Sequence, residues 1–163
     1  MITLGKEPLR WAMAVMLLAC HSLAFAIREE RTFEVTVNIP VVDYYVLPAD
    51  PGFLERVQPM KWDFGTATLM PINALFDVRS TNSPITARLQ QTPKLTSDRS
   101  DIELKVTFNH QLLSLTDTVV VPYTEAQAGL RVPLQIEAIT PTGGYLSGNY
   151  YGAVTIIFDA QLI

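Results

Sequence analysis

A strand pattern opens the polar part of this chain and reads Thr32-Phe-Glu-Val-Thr-Val-Asn-Ile-Pro-Val-Val42. Apolar and polar side chains alternate strictly, which predicts a β-strand with one buried face. Four charged residues, Arg28 to Arg31, precede this strand, and Pro40 ends it. It is therefore either the first strand of the chain's own sandwich or a strand donated to another molecule. Its apolar members are Phe33, Val35, Val37 and Ile39.

The first 26 residues have the features of a secretory signal peptide. Lys6 and Arg10 form a short basic region, an apolar core follows over 11–18, and Ala24-Phe-Ala26 is a small-x-small cleavage site. The core is shorter than the about 20 residues that a membrane-spanning helix needs. A buried core helix and lipoprotein processing at Cys20 are the alternatives. We favour cleavage after Ala26.

Cleavage after Ala26 changes the charge and the cysteine content of the chain. Two basic side chains and one acidic side chain are lost, so the net charge falls from −4 to −5. An acidic chain has no electrostatic footprint for nucleic acid or anionic lipid. The single cysteine, Cys20, leaves with the signal, so the mature chain forms no disulfide of its own. The remaining roughly 137 residues suit one domain with a single core.

Short strand patterns separated by turn residues fill the mature chain. Pro133 lies inside one of them and predicts an edge strand or a bulge, because proline supplies no ladder donor. Many short strands, frequent turn signals and eleven prolines predict an all-β sandwich. The predicted strands are 41–47, 60–64, 66–70, 72–80, 85–89, 102–108, 112–115, 119–123, 130–139 and 152–162.

Residues suited to catalysis or metal binding are few. His110 is the one histidine beyond the signal, it falls in a predicted hairpin turn, and neither zinc-site spacing nor a Gly-x-Ser-x-Gly motif accompanies it. Asp98, Asp101 and Glu103 surround Arg99 and lack the spacing of a calcium loop, so they predict a solvated loop. We predict no enzyme activity, no cofactor and no metal site.

Two tyrosine pairs, Tyr44-Tyr45 and Tyr150-Tyr151, are candidates for a carbohydrate-stacking surface. Adjacent residues of a strand point to opposite faces of the sheet. We therefore expect one tyrosine of each pair to pack in the core, which does not make a flat stacking surface.

At both ends the chain resembles the CS1/CFA/I-type fimbrial major subunits, which are pilins of the alternate chaperone–usher pathway. The opening Phe33-Glu-Val-Thr-Val-Asn-Ile-Pro-Val-Val-Asp43, directly after a signal peptide, is similar to their N-terminal extension. The closing Ser147-Gly-Asn-Tyr-Tyr-Gly-Ala-Val-Thr-Ile-Ile-Phe158 is similar to their last strand, with its Gly-Asn-Tyr-x-Gly-x-Val pattern. The absence of cysteine from the mature chain and Thr92-Pro-Lys-Leu95 also fit this family.

The resemblance implies an incomplete immunoglobulin-like β-sandwich that is completed by donor-strand exchange. The segment 27–40 would be the donor, and 41–163 would form the pilin domain. The donor side chains Phe33, Val35, Val37 and Ile39, ended by Pro40, would enter a groove on the next subunit. The acceptor groove would be lined by the C-terminal strand residues Val154, Ile156, Phe158, Ala160 and Leu162.

The resemblance also implies partners and a location. A pilin of this kind would bind other copies of itself, a periplasmic chaperone, an outer-membrane usher and a tip adhesin subunit, and would reach a cell-surface fimbria through the periplasm. The rival interpretation is a self-contained periplasmic sandwich that binds a carbohydrate or protein ligand, with 32–39 as its own strand. A tip adhesin fits less well, since a separate lectin domain needs a longer chain.

Overall fold

The computed structural model describes residues 43–160, so the predicted signal peptide and donor segment lie outside the described residues. These residues form eleven strands, a 3-10 turn at Pro51–Phe53 and a one-turn helix, α1, at Tyr123–Ala126. The strands are β1 Tyr44–Pro48, β2 Trp62–Asp63, β3 Thr68–Leu69, β4 Ile72–Ser80, β5 Ile85–Leu89, β6 Lys94–Thr96, β7 Asp101–Phe108, β8 Gln111–Leu112, β9 Thr118–Val121, β10 Leu130–Ala138 and β11 Ile156–Asp159.

The strands build two main sheets, and every pairing in them is antiparallel. The larger sheet has the order β1-β4-β10-β7-β6, with β8 also paired to β7. The smaller sheet has the order β11-β5-β9. A separate hairpin, β2-β3, packs the ring of Trp62 edge to face against Tyr145, with centroids 5.4 Å apart. The all-β sandwich that the sequence predicts is therefore confirmed.

The core lies between the two sheets and follows the predicted alternation. In β7 the even-numbered residues are buried while the odd-numbered ones face solvent or are partly exposed. Every second residue is buried in the second half of β4, in β5 and in β10 as well; the buried residues are even-numbered in β4 and β10 and odd-numbered in β5. Since successive side chains of a strand point to opposite faces, each strand supplies one apolar face to a shared core. Its fully buried large members include Val78, Ile85, Ile102, Val106, Phe108, Val120, Val121 and Val132.

The outer face of the larger sheet carries ion pairs between neighbouring strands. Arg131 donates two hydrogen bonds to the carboxylate of Asp77, at 2.7 and 2.8 Å. The Lys105 ammonium lies 3.0 Å from the carboxylate of Glu137 on the next strand. Within each of these pairs, the two residues lie directly opposite each other on neighbouring strands. Opposite charges in that position stabilise a sheet slightly and keep its outer face polar.

Pro133 lies in a central strand, so the prediction of an edge strand is wrong for β10 as a whole. β10 lies between β4 and β7. The pairing with β7 begins only at Leu134, opposite Phe108, whereas Pro133 pairs with Leu75 of β4 alone. Its carbonyl accepts a hydrogen bond from Asn109 N–H at 2.8 Å, so its nitrogen faces the turn beyond the end of β7. The missing N–H therefore removes no bond from either ladder.

The predicted turn after β7 is confirmed as a tight hairpin. Asn109 and His110 have φ angles of 46° and 64°, the left-handed region that two-residue hairpin turns require. The Asn109 side chain donates to the Val120 carbonyl at 2.7 Å and ties the turn to β9. The sequence patterns missed β6 and α1, because three or four residues are too few to show a period.

Candidate subunit-binding groove

β11 is an end strand of the smaller sheet. It pairs with β5 from Ile156 opposite Leu89 to Asp159 opposite Thr86, and no other strand of residues 43–160 pairs with it. The predicted strand 152–162 therefore begins later in the structure than the sequence pattern indicates, and Leu162 lies outside the described residues. One edge of β11 is thus left without a neighbour among the strands that the structure describes.

The backbone hydrogen bonds show which groups face that edge. Gln90 N–H donates to the Thr155 carbonyl at 3.0 Å, and Thr86 Oγ1 donates to the Asp159 carbonyl at 3.3 Å. In an antiparallel ladder, residues alternate between pointing their N–H and C=O groups to one neighbour and to the other. Ile156 and Phe158 therefore point theirs away from β5. Such an edge is a template for another strand.

The inward face of this segment is apolar and only partly covered. Val154, Ile156 and Phe158 are half-buried and pack against the core cluster. The Phe158 ring meets the fully buried Phe108 with centroids 4.8 Å apart. Ala160 is half-buried as well. The structure thus brings three of the five predicted acceptor residues, Val154, Ile156 and Phe158, onto one partly open apolar surface.

β1 supplies the facing edge from the other sheet. Its inward residues are Tyr44 and Val46, which pair with the buried Ser80 and Val78. The pKa of Tyr44 is raised by burial and, secondly, by the nearby carboxylate of Asp159. The start of β1 therefore lies near the end of β11. Each of these two strands is an end strand of its own sheet, and the apolar face of β11 packs against the core between the sheets.

Gly152 marks the point where the chain leaves the larger sheet to become β11. Just before it, Tyr151 and Thr96 exchange two backbone hydrogen bonds, at 2.8 and 3.0 Å. A Cβ atom on Gly152 would lie 2.3 Å from the Lys94 carbonyl oxygen, far inside contact distance. Only glycine permits this close approach. The second glycine of the Gly-Asn-Tyr-x-Gly-x-Val pattern thus allows the crossing that sets β11 in place.

The tyrosine pairs do not behave as predicted. None of the four side chains is fully buried, so the expectation that one of each pair packs in the core is wrong. Tyr150 is held by polar contacts: its hydroxyl lies 2.7 Å from Ser100 Oγ and donates to the Leu146 carbonyl at 2.9 Å. A hydroxyl that needs partners keeps the ring near the surface.

The remaining candidate residues lie apart from one another. His110 is exposed in its hairpin turn. Asp101 accepts a hydrogen bond from the Lys94 ammonium at 2.7 Å, and this bond is the first cause of its lowered pKa. In the part of the chain that the structure describes, no three His, Cys, Asp or Glu side chains converge as a metal site would require. Nor does any helix between residues 43 and 160 have the length and apolarity to cross a membrane.

The sequence of residues 29–159 matches the profile of the CS1 type fimbrial major subunit family. The chain belongs to this family. It is a structural pilin subunit, and pilins of this kind self-polymerise into a filament, the cell-surface fimbrium. The resemblance noted at both ends of the sequence is thereby confirmed. The match covers all eleven strands and most of the predicted donor segment.

The fold of this pilin is similar to a solved pilin structure. The CooA pilin subunit from enterotoxigenic Escherichia coli superposes with a TM-score of 0.57 at 18% sequence identity, covering 72% of this chain and 87% of that one. At this identity the likeness concerns the fold, which is an immunoglobulin-like pilin sandwich. No curated protein sequence matches the chain.

Proposed function

We propose that this pilin polymerises by donor-strand complementation, in which residues 27–40 of one copy fill the groove of the next. The observation that carries the proposal is β11, whose second edge has no strand partner within residues 43–160 and whose inward face is apolar. An alternating strand pattern directly precedes the domain in sequence. Its four apolar side chains, one on every second residue, match the spacing of the even-numbered β11 face.

The donor side chains supply enough apolar surface for a stable contact. Burying Phe33, Val35, Val37 and Ile39 is worth roughly 1.5–3 kcal/mol each, or on the order of 6–12 kcal/mol before the costs of ordering. Backbone hydrogen bonds along β11 add to this. Donor and acceptor are different surfaces of the same chain, so the contact does not close on itself and generates a filament.

The groove also accounts for the partners of such a subunit. Before assembly, an open apolar strand edge favours aggregation. We propose that a periplasmic chaperone covers it after the signal peptide is cleaved, that an outer-membrane usher exchanges chaperone for donor strand, and that the filament carries a tip adhesin subunit. The fimbria serves adhesion by building a shaft. The pilin itself has no enzyme activity in this proposal.

Pro40 has a defined role in the proposal. Proline fixes its own φ and supplies no backbone donor. It ends the inserted strand after Ile39 and sets the angle between consecutive subunits. A Pro40→Ala variant is expected to form fibres of altered shape or stiffness, as seen by electron microscopy. Fibres indistinguishable from wild type would remove this role.

A thermal melt tests whether the groove accepts a strand from outside. Residues 41–163 are melted alone, with a peptide of residues 27–41, and with the same peptide carrying Val35→Asp and Val37→Asp. We expect the first peptide to raise the melting midpoint strongly, because it buries the apolar groove. The substituted peptide is the control and should have little effect, since buried carboxylates are costly.

The opposite outcome is equally informative. If residues 41–163 melt cooperatively at high temperature, and neither peptide changes the midpoint, then the sandwich is complete without the donor. Donor-strand polymerisation would then be wrong, and a self-contained binding module would have to be considered again.

A further inference from the structure

The loop that follows β10 carries apolar side chains but no charge. None of residues 138–158 is Asp, Glu, Lys or Arg, and no other uncharged stretch within residues 43–160 is as long. Yet Leu146 and Tyr151 are 51% and 75% exposed, and the neighbouring Trp62 is 39% exposed. Exposed apolar side chains without charges among them are typical of the centre of a protein–protein contact. We call these three side chains the loop surface.

The members of the loop surface are joined by contacts within the loop. Trp62 packs edge to face against Tyr145, the residue before Leu146. The Tyr150 hydroxyl donates to the Leu146 carbonyl at 2.9 Å and lies 2.7 Å from Ser100 Oγ. These contacts hold the apolar side chains in place before any partner arrives. A surface that is already ordered loses little entropy when it binds.

The loop surface and the donor segment lie at opposite ends of the sandwich. Ile136, near the end of β10, pairs with Ile72, the first residue of β4, so the loop begins beside the start of β4. Thr81, directly after β4, donates its N–H to the Asp43 carbonyl at 2.9 Å, so the donor segment joins the domain beside the end of β4. We call Asp43 and the turn 81–84 the donor end.

A donor strand that adds to the open edge of β11 leaves the acceptor at a defined place. Every strand pairing of the two sheets is antiparallel, so a donor that continues the smaller sheet in the same way runs from Asp159 toward Gly152. Asp159 pairs with Thr86, close to the turn 81–84, whereas Gly152 directly follows Tyr151. The last residues of the donor therefore leave the acceptor beside its loop surface.

A short tether joins the donor strand to its own domain. Only residues 40–42 separate Ile39, the last apolar residue of the donor, from Asp43. Four residue steps of extended chain reach at most about 14 Å. The donor end of one copy must therefore lie against the loop surface of the copy that accepts its strand. Shifting the strand by two residues moves this point by only about 7 Å, so the conclusion does not depend on the register.

The donor end is chemically suited to such a contact. Residues 80–87 carry no charge, and Asn82 is exposed in the turn. The Asp43 carboxylate accepts a hydrogen bond from Thr81 Oγ1 at 3.2 Å. An uncharged polar turn can pack on an apolar surface without leaving a buried charge unpaired.

We infer that the loop surface packs against the turn 81–84 of the copy whose donor strand it receives, and that this forms a second contact between consecutive subunits. The inference rests on the proposed donor-strand polymerisation and deepens it. A donor strand alone connects two copies through a tether about which they can pivot. The second contact holds them at one angle and stiffens the shaft.

Chemical cross-linking in fibres assembled from the full chain tests this contact. Leu146→Cys is combined with Asn82→Cys, and the fibres are treated with a short bifunctional maleimide. The matched control combines Leu75→Cys with Asn82→Cys, since Leu75 is 50% exposed but lies within β4, between the two ends. Asn82→Cys alone reports links between two turns.

We expect the Leu146→Cys/Asn82→Cys pair to give at least roughly tenfold more linked multimers on a denaturing gel than the control pair, because the contact raises the effective concentration of the two thiols. Equal linking by the two pairs would overturn the second contact while leaving polymerisation intact. If the wild-type chain forms no fibres, donor-strand polymerisation fails, and the second contact fails with it.

A charge placed in the contact tests whether it stiffens the shaft. Leu146→Asp is compared with Leu75→Asp, which adds the same charge at an equally exposed position within β4. Both variants should still form fibres, because the donor strand is unchanged. Leu146→Asp fibres should bend more in electron micrographs and dissociate at least about tenfold faster at a fixed elevated temperature, because the contact would bury a carboxylate.

Tyr151→Asp is a second variant of the loop surface and guards against a folding defect that is specific to Leu146→Asp. Because Tyr151 is 75% exposed, the fold of the subunit should tolerate this change. We expect it to alter bending and dissociation as Leu146→Asp does. If the fibres of both variants match those of Leu75→Asp in both measurements, the loop surface is not a contact between subunits.

Discussion

Phe158 on the last strand packs edge to face against Phe108 of the opposite sheet, with ring centroids 4.8 Å apart and planes at 60°. Phe108 is fully buried, and it also contacts Phe76 at 5.6 Å. A half-buried ring on an edge strand is thus joined to the centre of the core. This contact anchors β11 to the core, although Phe158 itself is only half-buried.

Phe158→Ala is expected to lower the free energy of unfolding of the full-length protein by about 2–4 kcal/mol, because it removes ring contacts and leaves a cavity beside Phe108. Phe64→Ala is the matched control, since Phe64 is 90% exposed, and its effect should stay within about 0.5 kcal/mol. Urea denaturation measures both. Equal effects of the two substitutions would contradict the packing of Phe158.

Gly152→Ala is expected to destabilise the protein by about 1–3 kcal/mol, because the new methyl group collides with the Lys94 carbonyl and must push the chain away from β6. Gly143→Ala is the control, because no heavy atom lies within 4 Å of the position its Cβ would occupy. Thermal melts of both variants provide the comparison. A Gly152→Ala protein as stable as Gly143→Ala would show that the crossing tolerates a side chain.

His110→Gly is expected to stabilise the β7–β8 hairpin by about 1 kcal/mol, because glycine adopts its left-handed φ of 64° without strain. Asn109→Ala should have the opposite effect and lower the free energy of unfolding by about 1–3 kcal/mol. This variant loses the hydrogen bond to the Val120 carbonyl, and alanine tolerates a positive φ less well than asparagine. Chemical denaturation measures both. A destabilised His110→Gly protein would mean that the imidazole makes a favourable contact.

The stability of the protein is expected to fall in acid. The pKa of Asp77 is lowered first by its hydrogen bond from Arg131, and the pKa of Asp101 first by its bond from Lys94. A carboxyl whose folded pKa lies below its ordinary value of 3.8 contributes stability above that pH and loses it as the pH falls through the folded pKa. Denaturation from pH 6 to pH 2 measures this fall.

The double variant Asp77→Asn/Asp101→Asn is the control for this pH dependence. It lacks both titrating groups, so its stability should change less steeply below about pH 4. If the stability of the double variant falls with pH as steeply as that of the wild type, other carboxyl groups cause the acid sensitivity.

The sequence by itself determined the fold class, the family and the inward face of most strands. The bounds of β4 and β5 agree with the predicted 72–80 and 85–89, because both strands alternate cleanly and are bounded by turn residues. The even-numbered face of β11, which packs against the core, was predicted for the same reason, and its role as an acceptor stays a prediction. Period-two alternation is a local property, and a strand with one buried face must show it. The signal peptide and the donor strand lie outside residues 43–160 and stay predictions.

Only the tertiary structure decided which strands become neighbours and where each pairing stops. It placed Pro133 in a central strand but beyond the end of β7. It started β11 only after the close approach at Gly152, and it left none of the four paired tyrosines fully buried. Each of these outcomes depends on a partner distant in the chain. Local alternation states which face of a strand is buried, but the partner at each edge follows from how the whole chain packs.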